Sequence, residues 1–141
     1  MDRREHPHLS IDISAVNGHP LIKISGTLDG WHYQAIEKSL RSQVTPESDA
    51  IVVDLSGLTF ASIGGMYALV EALRSVQYDV KVYAVATGDV SRVLHRTRFD
   101  LRIGLCASLD EAITLVLPDD SGLAAKLLHL SDDDEELPKA A

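Results

Sequence analysis

Residues 51–76 read IVVDLSGLTFASIGGMYALVEALRSV, and a change of period inside this stretch decides the fold. Ile51-Val52-Val53-Asp54-Leu55 is a short apolar run rich in β-branched residues, the composition of a central strand covered on both faces. Further on, Met66, Leu69, Val70, Leu73 and Val76 recur at helical spacing, while Tyr67, Glu71, Arg74 and Ser75 fall on the opposite face. A buried strand followed by an amphipathic helix is half of a crossover unit, and such units build parallel sheets. The stretch from Phe60 to Met66 is predicted to be the loop and helix start between the two.

Upstream, Leu9, Ile11 and Ile13 alternate with Ser10, Asp12 and Ser14, the period-two mark of a half-buried strand. Asn17-Gly18 then signals a tight hairpin into Leu21-Ile22-Lys23-Ile24. After Gly26-Thr27-Leu28-Asp29-Gly30 the period changes again. Tyr33, Ile36, Leu40 and Val44 outline a helix with Asp29 at its cap position, and Pro46 stops it. Downstream, residues 80–85 read as a strand, 89–97 as a helix and 101–105 as a last short strand. Ser108-Leu109-Asp110-Glu111 is a capping box that opens a final helix. The expected class is α/β, a single domain with a mixed four- to five-stranded sheet, helices packed on it, and β-β-α-β-α-β-α-β-α order.

At 141 residues, 45% of them hydrophobic and 24% charged, the chain has room for one sizeable core. Residues 1–8 are polar and are expected to be a flexible start, with the domain over 9–117. In residues 118–141 there are seven acids and two lysines, so this tail carries −5 of the net charge of −8. Its segment 123–130 has the pattern of a short helix, and the run 132–136 is wholly acidic. Such a balance disfavours nucleic acid and anionic membrane surfaces. No stretch approaches the roughly 20 apolar residues of a membrane span or the pattern of a secretory signal, which points to the cytoplasm. The lone Cys106 reads as a half-buried structural residue.

The candidate chemistry is sparse. Ser62 precedes a helix, where its simplest role is an N-cap, with phosphorylation at the helix N-terminus as the alternative. Gly64 and Gly65 permit close backbone approach but lack the lysine and spacing of a phosphate-binding loop. Ala61-Ser62-Ile63-Gly64-Gly65 is not a hydrolase elbow, and no catalytic, metal or cofactor site is expected. Arg92 and Arg96, i and i+4 on one helix, form a locally basic face.

Residues 51–76 resemble the STAS domain, the module of bacterial anti-sigma factor antagonists that also occurs at the ends of sulphate transporters. The resemblance extends to Gly26-Thr27-Leu28-Asp29 upstream, and downstream to Val90-Ser91-Arg92-Val93-Leu94 and Ser108-Leu109-Asp110-Glu111-Ala112-Ile113. Aligned from Leu58-Thr59-Phe60, the family's Asp-Ser-Ser-Gly-Leu loop falls on Ser62-Ile63-Gly64-Gly65-Met66. In antagonists of the family the first serine of that loop is phosphorylated by the partner kinase, which releases the complex. Here that position is Ile63, which has no hydroxyl, and Ser62 stands where the family has aspartate.

The resemblance implies a binding module, not an enzyme, with an anti-sigma factor or related serine kinase as partner and without the usual phosphoserine switch. The expected contact residues are Phe60, Ser62, Ile63, Gly64 and Gly65, with Met66 and Tyr67 as anchors; Asp29 joins them, and Arg92 and Arg96 form the rim. A monomer or weak dimer is expected. A STAS subunit that docks on a membrane transporter, or senses a ligand there, is the alternative.

Overall fold

In the computed structural model, residues 2–6, 8–97 and 102–116 are described. Six strands lie in sequence order across one sheet: β1 (Asp2–His6), β2 (Leu9–Val16), β3 (His19–Leu28), β4 (Ala50–Ala61), β5 (Lys81–Val85) and β6 (Ile103–Cys106). The pairs β1–β2 and β2–β3 are antiparallel, and β3–β4, β4–β5 and β5–β6 are parallel. Helices α1 (Tyr33–Arg41), α2 (Ile63–Val76) and α3 (Gly88–Thr97) supply the crossovers, and α4 (Leu109–Leu115) follows β6. The β2–β3 turn has Asn17 and Gly18 at φ 52° and 81°, with Val16 opposite His19. Both residues are thus left-handed, as a two-residue hairpin of this twist requires.

Alternation along the strands sorts the side chains onto two faces. Ile11, Ile22, Ile24, Ile51, Val53, Leu55 and Val82 meet Ile36 and Leu40 of α1, Leu69 and Leu73 of α2 and Leu94 of α3 in the main core. On the other face Val52, Val85 and Cys106 meet Ala112 of α4 and Val116 in a smaller cluster. The strand 51–55 is therefore covered on both faces, as its apolar run implies.

The structure differs from the sequence reading at the ends of several elements: α1 stops at Arg41, short of Val44, and three further differences lie in the sheet and at α4. The sheet has six strands, one more than expected, because residues 2–6 pair with β2 from Asp2↔Ile13 to His6↔Leu9 and are not a free start. A polar edge strand of this kind is held by backbone hydrogen bonds and leaves no alternation to read. Second, β4 does not end at Leu55: it continues through Ala61, paired with β3 as far as Leu28↔Ala61. The expected loop from Phe60 shrinks to Ser62, between the strand and α2. Third, Glu111 closes the cap of α4 by accepting from the N–H of Ala107, one residue before the capping Ser108, whose Oγ accepts from Glu111 N–H at 3.1 Å. The tail 118–141 and its expected helix lie outside the described residues. Among those described, no helix is long and apolar enough to cross a membrane.

Candidate functional site

Ser62 caps α2. Its backbone is extended (φ −71°, ψ 168°), its Oγ accepts from Gly65 N–H at 2.9 Å, and the same hydroxyl faces the Leu28 carbonyl oxygen at 3.4 Å. One hydroxyl thus satisfies an orphan amide of the first turn and ties the helix to the end of β3. Ser62 N–H donates to that same Leu28 oxygen at 3.0 Å.

Gly65 accounts for the tightness of this junction. A Cβ there would stand 2.3 Å from the Leu28 carbonyl oxygen, inside any allowed contact. Gly65 is buried, so among the expected contact residues it is the one the fold turns inward, where it serves packing. Gly64 stays on the surface, against the backbone of Gly30. Asp29 is the cap residue of a 3-10 turn, Gly30–His32, and not of α1 as the sequence suggests, because the turn intervenes and His32 holds the α1 cap position; the Asp29 backbone N–H donates to His32 Nδ1 at 2.9 Å. This turn thereby brings Asp29 and Gly30 beside the start of α2.

The chain leaves large apolar side chains in water at this end. Ile63 is 81% exposed, Tyr67 70% and Phe60 60%. Burying a side chain of this size elsewhere is worth ~1.5–3 kcal/mol, so their common exposure makes this end the candidate binding surface. Beside them a groove of about 500 Å³ runs between α2 and α3, with Ile63, Met66, Tyr67 and Val70 on one wall and Val93 and Arg96 on the other.

The predicted residues therefore do not all converge. Ile63, Met66, Tyr67 and Arg96 share the groove, with Ser62 at its head. Arg92 is not part of its lining and instead pairs with Asp89 one turn back in α3. Sequence reading missed Trp31 and Tyr33. Trp31 is 60% exposed, and Tyr33 shares a second, shallower depression with Gly30, Gly64 and Tyr67. The signal was present, since Trp31 follows the Gly-x-Leu-Asp-Gly turn and lies outside the apolar period of α1.

Cys106 is buried at the end of β6 and lies away from this surface. Burial, reinforced by the nearby Glu111 carboxylate, pushes its thiol above the ordinary value, so it stays protonated and unreactive.

Comparison with known proteins agrees with this architecture. Anti-sigma-F factor antagonist RsfB of Mycobacterium tuberculosis is 27% identical over 107 residues, which cover 75% of this chain and 88% of that protein. The crystal structure of an anti-sigma factor antagonist from Mycobacterium paratuberculosis superposes with a TM-score of 0.60 at 24% identity, over 77% of this chain and 93% of the other. SpoIIAA in its unphosphorylated form gives 0.53 at 16% identity, over 74% and 96%. At these identities the two structures speak for the fold alone. The STAS domain family model matches residues 10–112, from β2 into α4. With the mixed sheet, the Ser62-capped helix and this match in agreement, the chain belongs to the STAS domain family.

Proposed function

We propose that this chain is a non-catalytic protein-binding module of the anti-sigma factor antagonist kind, acting in the cytoplasm. It binds an anti-sigma factor or related serine kinase through Phe60, Ile63, Met66 and Tyr67, with Arg96 on the rim and Asp29, Ser62 and Gly64 framing the helix start. The observation that carries this reading is Ile63: the most exposed large hydrophobic residue among those described sits at the first turn of α2, between Phe60 and Tyr67. The similarity to an anti-sigma-F factor antagonist supports the choice of partner class.

The mechanism is docking without a covalent switch. Ile63 offers no oxygen to a kinase, and the Ser62 hydroxyl is engaged by Gly65 and Leu28. Once bound, the complex is set by partner concentration and affinity, and not cancelled by phosphate at this loop. Calorimetric titration of an anti-sigma factor from the same organism tests the reading. Ile63→Asp, which sets a charge at the centre of an apolar contact, is expected to weaken binding at least about thirtyfold, in line with hot-spot losses of ~2 kcal/mol and more. Equal affinity of wild type and variant overturns it.

A further inference from the structure

The groove between α2 and α3 exists because the two helices stand apart. α2 packs closely along α1 and only loosely against α3, which Leu94 anchors in the core. Both helices return from neighbouring parallel strands on one face of the sheet, so they run in the same direction. Ile63 and Asp89 therefore lie at the head of the groove, and Arg74 and Arg96 at its foot. From Ile63 to Arg74 it extends for about 16 Å, roughly three turns of helix at ~1.5 Å per residue.

The lining repeats at helical spacing on both walls. Ile63, Met66 and Val70 follow one another down α2, and Asp89, Val93 and Arg96 stand at i, i+4 and i+7 down α3. Ridges of this spacing on two neighbouring helices form the surface into which a third helix packs. Of the charges along the groove, Glu71 is matched by Arg74, and Asp89 by Arg92. Arg96, in the last turn of α3, has no ion-pair partner among the described residues. The foot of the groove thus carries one positive charge without a counter-charge.

The walls decide the kind of occupant. The sides of two helices offer no free backbone N–H or C=O, so an extended segment laid on them would leave its own backbone groups unpaired, whereas a helix satisfies its own internally. A small molecule fits the groove poorly for a different reason. Its pockets enclose roughly 70–90% of the ligand surface, and here Ile63 and Tyr67 remain largely exposed at the rim.

We infer that the α2–α3 groove seats one amphipathic helix of the binding partner, with apolar residues at i, i+3 or i+4 and i+7 on the groove floor and a carboxylate at the end that meets Arg96. Helix-in-groove recognition uses anchors at this spacing, and the carboxylate opposite Arg96 sets the register of the helix along the groove. The inference rests on the proposed function for the existence of the partner, and adds the form in which that partner docks.

The test captures the bound segment. Val93→Cys, inside the groove, and Phe60→Cys, on the proposed surface but outside the groove, are made separately in the full chain and labelled with a thiol-reactive benzophenone; Cys106 is buried and stays unlabelled. Each labelled chain is irradiated with the anti-sigma factor of the same organism, and the joined peptides are mapped by mass spectrometry. The expected result is that the Val93 label joins one helix of the partner that carries the apolar spacing and an Asp or Glu. Arg96→Glu then weakens binding about tenfold, and changing that partner carboxylate to Arg restores it. Joining from Phe60 with none from Val93 overturns the inference and leaves the proposed function standing. So does joining from Val93 to a partner segment that is not a helix, or failure of the charge exchange to restore binding. Joining from Val93 to a second copy of this chain also overturns it, and places the groove between copies. If neither label joins the anti-sigma factor and calorimetry shows no binding, the proposed function fails and the inference falls with it.

Discussion

The Leu28 carbonyl oxygen lies where a Cβ of Gly65 would have to be, 2.3 Å away, so the first turn of α2 rests directly on the end of β3. This contact fixes the direction in which Ile63 and Tyr67 project. The neighbouring glycine is different: a Cβ on Gly64 meets Gly30 at 3.6 Å, an ordinary contact. The two glycines should respond to alanine with opposite signs. Gly65→Ala is expected to lose about 1–3 kcal/mol through overpacking against backbone. Gly64→Ala is expected to hold its stability or gain up to about 1 kcal/mol from helix propensity. Urea denaturation of both variants checks the pair.

Ser62→Ala removes the cap and leaves the Gly65 amide without its side-chain acceptor. A loss of about 1 kcal/mol in unfolding free energy is expected. Partner affinity, measured on the folded fraction, should stay within a few-fold of wild type, because the hydroxyl faces Gly65 and Leu28 within the domain. A collapse of affinity with unchanged stability would make Ser62 a contact and not a cap.

The reverse split is expected on the surface. Tyr67→Ala and Phe60→Ala change stability by no more than about 0.5 kcal/mol, as exposed positions do. Each weakens partner binding about tenfold or more. Arg96→Ala should cost more affinity than Arg92→Ala, since Arg96 lines the groove and Arg92 is occupied by Asp89. Surface plasmon resonance with each variant gives the order.

The fold was largely legible because its strongest signals are local. Alternation over Leu9, Ile11 and Ile13, the Asn17-Gly18 turn, and the change of period across 51–76 each correspond to an element that forms where the pattern places it. What escaped has a non-local cause. The strand Asp2–His6 is polar in sequence, and what defines it is its pairing with β2. Ser56, Gly57 and Thr59 interrupt the apolar run, yet β4 continues because β3 extends beside it. The inward role of Gly65 depends on Leu28, far away in sequence, and cannot be distinguished from that of Gly64 by residue type. Arg92 and Arg96 share a helix face by spacing, but the pairing with Asp89 takes one of them out of the groove.

Cys106 gives a pH dependence with a definite sign. Its folded thiol holds its proton more tightly than the unfolded one because of burial and Glu111. The associated stability is therefore complete below the ordinary thiol range and is lost as pH rises through the shifted value. Relative to Cys106→Ala, wild type should lose stability as pH rises above the ordinary thiol range. In neutral buffer a thiol reagent should react with the native chain only as fast as it opens.

The most direct measurement of the central claim is partner binding under phosphorylating conditions. Wild-type chain and Ile63→Ser are each incubated with the cognate anti-sigma kinase and ATP, and intact mass and complex formation are followed together. The account predicts that wild type gains no phosphate and stays bound, whereas Ile63→Ser gains one phosphate and is released. One phosphate on wild-type Ser62 with loss of the complex would contradict it.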